Sequence, residues 1–474
     1  MISTLRTKIK MVWLQLVNQR NESSMAKLAY NGRLSEKLWD LEVGGNDHLR
    51  VGDLDVAELA VKYGTPLHII DKKRLKKNYT RFYNAFADHY PFVEIGYSYK
   101  TNPLPGTLKI LHDCGACAEV ISHFELWLAL QLGVLPSKII FNGPAKTKQA
   151  LDLAIEHKIK IINIDSFSEI DVINECAVKH CVQQKVGVRV ISSVGWASQF
   201  GLSIANGNAL EAFKRLAKLD NVVPCGLHIH LGTGIRNINI YQKAIREILE
   251  FAILIQNRLG VEIEYFDLGG GFGVPTVREY SMLDTKLLMN GFPALMHKEN
   301  QCPPIEEYGK TVVDMFRHYY PGNSTVKQTL LFEPGRAISS SAQFLLLKVI
   351  GIKPGENGVT NIILDGGKNI TMPLNYEFHE AFSATKMTQS LQDRYYNVFG
   401  PLCHPNDILF RARKFPNLEI GDLIAVMDAG AYFIPNQMNF SNPRPAAVVV
   451  ENGVSKLIRE RETFENIIVL DNVL

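Results

Sequence analysis

The stretch Tyr97-Ser98-Tyr99-Lys100-Thr101-Asn102-Pro103 ends a β-rich apolar run with a charged amine, and the same plan recurs along the chain. Runs of this kind occupy residues 94–99, 116–121, 138–141, 159–164, 186–191, 225–230, 264–268 and 329–332, eight in all. Between them lie amphipathic stretches, such as 124–132, 147–155 and 240–256, with apolar residues at three and four spacing. Eight alternating strand and helix units predict an α/β fold, a TIM (β/α)8 barrel whose working residues sit at the C-terminal ends of its parallel strands. By that rule Lys100 closes the first strand, Asp165 and Ser166 follow the fourth, and His230 ends the sixth. Gly269-Gly270-Gly271-Phe272-Gly273 follows the seventh and Glu333-Pro334-Gly335-Arg336 the eighth.

Beyond Arg336 the pattern changes to strand and turn over 344–352, 361–364, 423–427 and 446–451, with turn signals at Pro354-Gly355 and Asn452-Gly453. This predicts a C-terminal antiparallel β domain. Residues 54–71, with the turn Tyr63-Gly64-Thr65-Pro66, are expected to lend it a strand before the chain enters the barrel. The expected division is an N-terminal extension (1–45), a joining strand segment (46–71), the barrel (72–336) and the β domain (337–474). The extension carries Arg6, Lys8, Lys10 and Arg20 with no acid in its first 20 residues, and is expected to be helical or disordered, with initiation at Met25 an option.

A chain of 474 residues with 46% hydrophobic and 21% charged residues can bury a large core and a second domain. The net charge of +3 and the lack of a basic block interleaved with aromatics argue against a nucleic-acid partner and for a small molecule. No run approaches the roughly 20 apolar residues that would span a bilayer. Seven scattered cysteines fit a reducing cytoplasm, and the Cys114 and Cys117 pair lacks a second pair to complete a metal site.

The chemistry lies in the loops. An amine at a strand end can form an imine with an aldehyde once deprotonated, and burial beside Tyr97 and Tyr99 is expected to lower the Lys100 pKa. His228 and His230 share a face, because strand side chains alternate. With no acidic partner at a clear spacing, no metal is expected there. A flat imidazole can instead stack on an aromatic ring, and Thr233 can offer its hydroxyl and amide to a phosphate. A glycine run after a strand lets backbone amides approach an anion, with the next helix presenting its N-terminus. Glu333 can hold a pyridine nitrogen protonated, which makes that ring an electron sink. Arg336 would face a phosphate or a substrate carboxylate. Cys403, in Gly400-Pro401-Leu402-Cys403, and Tyr432, in Asp428-Ala429-Gly430-Ala431-Tyr432, add a thiol and a phenol. Amine, stacking ring, anion cradle, carboxylate, thiol and phenol are together what an enzyme needs to hold and use pyridoxal phosphate.

In this order the pieces resemble the fold-type III pyridoxal phosphate decarboxylases, the group of the diaminopimelate, ornithine and arginine decarboxylases. The likeness runs from about Val51 to the C-terminus and includes Arg459-Glu460-Arg461-Glu462-Thr463. It implies an alanine racemase-like barrel with a β domain, a head-to-tail homodimer with shared active sites, and α-decarboxylation of an amino acid. It implies three catalytic residues: Lys100 as the imine-forming lysine, His230 as the ring-stacking residue and Cys403 as a proton-donating thiol reaching across the dimer. Glu333 would partner the pyridine nitrogen. Thr233, Gly271 and Tyr432 match phosphate-binding positions, and Glu119 and Arg189 match positions lining the cofactor pocket. Arg336, Asp365, Tyr376, His404 and Tyr432 are expected to face substrate.

Two departures bear on substrate. His404 stands directly after the cysteine, where relatives carry a glutamate or aspartate for the substrate's far amino group. Met372 stands before Pro373, where an arginine is usual. Losing a carboxylate that paired a substrate ammonium costs about 2 to 5 kcal/mol of binding. The expectation is therefore an altered pocket for a conjugated or acidic-ended amino acid, as in siderophore or antibiotic pathways. The alternatives are meso-diaminopimelate decarboxylation in lysine biosynthesis, a racemase, and an inactive regulator. Glu333 argues against the racemase, because racemases of this fold tend to place an arginine against the pyridine nitrogen. The retained lysine and thiol argue against the regulator.

Overall fold

The computed structural model describes residues 34–195, 199–289, 302–320, 327–355, 359–391 and 395–472. Its centre is a closed barrel of eight parallel strands. In chain order they are Val93–Ser98, Cys117–Val120, Ile139–Phe141, Ile161–Ile164, Gln184–Ile191, Val222–His228, Tyr265–Asp267 and Thr329–Phe332. Each pairs with the next, and the eighth returns to the first with Leu330 opposite Val93. The outer helices form where the apolar period is helical. Ile238–Leu259 buries Tyr241, Ala244, Ile245, Ile248, Leu249, Ala252 and Ile255, starts at an Asn237 cap and stops at Gly260 in the left-handed region.

The barrel interior is layered, and the layering follows from strand alternation. Cys117, Ile140, Ile161 and Leu331 form a small apolar cluster with Cys225. Two residues on, pointing the same way, come Glu119, Asn142, Asn163 and Glu333, all buried. An apolar plug thus fills the lower barrel, and a polar layer sits at the C-terminal mouth.

The second domain is built on Gln343–Pro354, which pairs antiparallel with Leu67–Asp71, Leu423–Val426 and Thr360–Leu364. The sheet is mixed, not purely antiparallel as expected: Ala446–Glu451 runs parallel to Leu67–Asp71, and Tyr396–Phe399 parallel to Thr360–Leu364. The central strand Leu67–Asp71 arrives from before the barrel, so its neighbour cannot be a hairpin partner, and long crossovers permit parallel pairing.

Of the N-terminal extension, residues 34–45 are described, and they fold onto the β domain. Glu36–Trp39 makes a short 3-10 turn capped by Ser35. Leu34, Trp39 and Leu41 enter the same core cluster as Phe344, Phe382 and Val448. Trp39 is 1% exposed and donates Nε1–H to Asp428 Oδ2 at 2.9 Å. The irregular spacing of these three apolar residues carries no period, which is why pattern reading missed the docking. Met25 lies outside the described residues. Among the described residues no helix is long and apolar enough to cross a membrane.

Candidate active site

The polar layer opens into a cavity of about 510 Å³ at the barrel mouth. Lys100, Glu119, Arg189, His228, His230, Thr233, Gly271, Glu333, Arg336, Tyr376 and Tyr432 all line it. Three expected residues do not. Asp365 is tied into the β domain, accepting from Lys348 N at 2.8 Å. Cys403 and His404 are exposed on a loop held by Asp407, which accepts from Leu402 N at 2.8 Å and Lys368 N at 2.7 Å. Tyr432 and Cys403, both from the β domain, therefore part company: the phenol reaches this chain's own cavity and the thiol does not. Tyr432 N donates to Thr101 O at 2.8 Å, and Asp428, earlier in the same turn, accepts from Trp39, Thr276 and Ser340.

Lys100 Nζ lies 3.9 Å from Glu119 Oε2, with a third of the side chain exposed to the cavity. Burial alone would lower its pKa, but Glu119, Glu333 and Tyr432 outweigh it and raise the amine above its ordinary value. The expected lowering is thus corrected: beside Glu119 and Glu333 this lysine is held as a cation. Burial also depresses the His230 imidazole, helped by Lys100, to about 3, so its ring is neutral at physiological pH.

Glu333 sits in a buried network that sequence reading missed. Asn142 Nδ2 bridges Glu119 Oε1 at 2.9 Å and Glu333 Oε1. Asn163 Nδ2 bonds Asn142 Oδ1 at 2.8 Å and Asp267 Oδ2 at 3.1 Å. His228 Nε2 lies 3.5 Å from Glu333 Oε2. The fold therefore supplies His228 with the acidic neighbours its sequence spacing did not show. Ligand-type atoms of His228, Asp267 and Glu333 lie within 4.8 Å of one another. Two carboxylates this close cannot both ionise cheaply. Burial and Glu333 push Asp267 far above the usual carboxylate range. Burial would raise Glu333 too, but His228, the proton held by Asp267 and Lys100 keep it well below that range. One carboxylic acid and one carboxylate result, and the carboxylate is the one that faces the cavity. The signal was present as a polar residue within or just after six of the eight apolar runs: Ser98, Glu119, Asn142, Asn163, Asp267 and Glu333.

The anion cradle is backbone. A side-chain Cβ at Gly271 (φ +84°) would stand 2.0 Å from Gly232 O, and one at Gly270 would stand 2.3 Å from Glu333 O. Only glycine lets the run lie against the loops after strands six and eight. No helix starts directly after the run, contrary to expectation; Arg278–Glu279 forms a short strand there instead. A phosphate at Thr233 and Gly271 would thus be held by loop amides and hydroxyls, and not by a helix that follows the glycine run. The donor set fits pyridoxal phosphate: an amine, a neutral imidazole, an ionised buried carboxylate and a glycine-lined loop share one cavity.

Comparison with known proteins agrees. Residues 73–340 match the family described as "Pyridoxal-dependent decarboxylase, pyridoxal binding domain". The chain belongs to the pyridoxal-dependent decarboxylases. It is 30% identical over 455 residues to a diaminopimelate decarboxylase of Methanocaldococcus jannaschii, covering 90% of this chain and 98% of that one. It is also 30% identical to a diaminopimelate decarboxylase of Methanothermobacter thermautotrophicus, covering 92% and 98%. A crystal structure of diaminopimelate decarboxylase from M. jannaschii superposes with a TM-score of 0.82 at 29% identity, covering 92% of this chain and 98% of that one. The protein is thus a fold-type III, diaminopimelate decarboxylase-like carboxy-lyase that uses pyridoxal phosphate. The racemase and inactive-regulator alternatives are set aside by the same findings.

Proposed function

We propose that this decarboxylase acts at the α-carbon of an amino acid whose far end differs from that of diaminopimelate, and that it does so as a homodimer. The convergence of Lys100, His230 and an ionised Glu333 on one cavity carries the reading of the reaction. Pyridoxal phosphate, when bound, supplies the electron sink for the pair left behind as carbon dioxide departs. Lys100 Nζ would tether it, the neutral His230 ring would pack against it, and Glu333 would keep its ring nitrogen protonated. Thr233, Gly271 and Tyr432 hold its phosphate, and Glu119 with Asn142 fixes the lysine. Cys403, exposed and away from its own chain's cavity, serves the partner's, returning a proton to the α-carbon. Tyr376 lines the substrate side.

The substrate reading rests on His404, Met372 and Arg336. A guanidinium free to take a far-end carboxylate is what an acidic-ended substrate would need, yet Arg336 is bonded through both Nη atoms to Glu377. A masked or conjugated far end keeps its support and an acidic one loses it. The names of the relatives favour meso-diaminopimelate as the second reading. Carbon dioxide release from meso-diaminopimelate, lysine, ornithine and a lysine acylated on its side-chain amine decides between them. Slow release from meso-diaminopimelate with faster release from another member is expected, and rapid turnover of meso-diaminopimelate would end the proposal.

A further inference from the structure

A two-stranded ribbon crosses the cavity mouth. Arg278–Glu279, beyond the glycine run, pairs antiparallel with Glu377–Phe378 of the β domain, and the register sets Glu279 directly opposite Glu377. Like charges at opposed positions weaken a ribbon, so stability does not explain this pair. Both glutamates line the cavity. Glu377 is 2% exposed; its Oε2 accepts from Arg336 Nη1 at 3.1 Å and its Oε1 from Arg336 Nη2. His379 Nε2 lies 3.1 Å from the same Oε2 and braces it from behind. The Glu279 side chain stands exposed at the rim, and its carboxylate makes no hydrogen bond or ion pair among the described residues. The other lining cations also face carboxylates: Lys100 faces Glu119 at 3.9 Å, and Arg189 faces Asp165 at 3.6 Å. Of the charges on this wall, Glu279 is the one left over.

We propose that Glu377 and Glu279 determine specificity. By occupying the Arg336 guanidinium and adding a carboxylate beside it, they exclude an amino acid with a far-end carboxylate and admit one whose far end is neutral or cationic. This rests on the functional reading above and names the substrate class within it. The selection works by desolvation and charge: a far-end carboxylate must break a buried bidentate pair to gain a partner, and meets Glu279 while doing so.

Meso-diaminopimelate and lysine differ by one far-end carboxylate, which makes them the probe. Dissociation constants for meso-diaminopimelate and racemic lysine are read from the absorbance of the bound cofactor in wild-type holoenzyme and in Glu279→Gln, Glu377→Gln and the double variant. Wild type is expected to bind lysine about tenfold or more tightly over meso-diaminopimelate. Glu377→Gln should shrink that ratio by about tenfold, chiefly by tightening meso-diaminopimelate, and Glu279→Gln by a smaller factor. If wild type rejects meso-diaminopimelate and the variants keep the full ratio, the selector role is overturned while the functional reading stands. Rapid wild-type turnover of meso-diaminopimelate would overturn both. Should Glu377→Gln not fold, an unchanged ratio in Glu279→Gln overturns the proposal and a reduced one supports it.

Discussion

Asp267 shows how a single buried proton can set the charge of a site. It accepts from Gly269 N at 3.1 Å and Asn163 Nδ2 at 3.1 Å and leaves its own proton for Glu333. Glu333→Gln should lower kcat by about a hundredfold or more, because a carboxylate acting on developing charge is removed. Asp267→Asn can still donate to Glu333 and should lose far less, whereas Asp267→Ala should approach Glu333→Gln; steady-state kinetics separates the three. Lys100 gives a pH signature. Its raised pKa means that the reactive neutral amine is scarce at neutral pH, so uptake of pyridoxal phosphate by the apoenzyme should quicken by about tenfold per pH unit below that pKa. Glu119→Gln removes a carboxylate that raises the pKa and should shift the profile to lower pH. The sequence made Lys100, His230 and Glu333 legible, because each ends a run. It hid the Lys100 charge, because Glu119 lies on a neighbouring strand and only register brings it to 3.9 Å.

At the scale of elements, strand alternation explains both the lower plug and the polar rim, and all eight strands were readable from their runs. Boundaries shifted by one to three residues, the sixth strand starting at Val222 and ending at His228. The helix expected after the glycine run was unreadable because its absence depends on Glu279 finding a strand partner 98 positions away. Gly271→Ala forces a Cβ towards Gly232 O at a positive φ. The cost should be about 1 to 3 kcal/mol, read as a lower Tm together with weaker cofactor affinity. Glu125 adds a pH test of stability. It accepts from Ile121 N at 2.8 Å at the start of His123–Gln131, and burial with the Glu119 charge lifts its pKa to about 7. The folded state therefore holds this proton more tightly than the unfolded one. Its stabilising effect is full below the ordinary value near 4.5 and is lost as pH rises to about 7. Glu125→Gln should flatten the fall in Tm across that window; an unchanged slope would refute the assignment.

The molecule as a whole is held together by connections that run against chain order. The segment 34–45, the loop after the glycine run, the end of the barrel and the β domain all meet at Asp428 through Trp39, Thr276 and Ser340. Trp39→Ala should cost about 3 to 5 kcal/mol and, by loosening Asp428, weaken cofactor binding through Tyr432. Trp39→Phe should keep most of the packing. None of this was legible in the sequence, because one tryptophan in an aperiodic segment carries no pattern. The shared site of the proposed dimer has its own test: mixing inactive Lys100→Ala and Cys403→Ala subunits should restore about a quarter of the sites. No recovery would show that Cys403 serves its own chain.

The most direct measurement of the central claim is chemical. Holoenzyme is reduced with borohydride, digested, and the pyridoxyl-labelled peptide is identified by mass. The label is predicted on Lys100, with the visible absorbance band lost in Lys100→Ala; a label on another lysine, or none on a protein soaked in pyridoxal phosphate, would contradict the account.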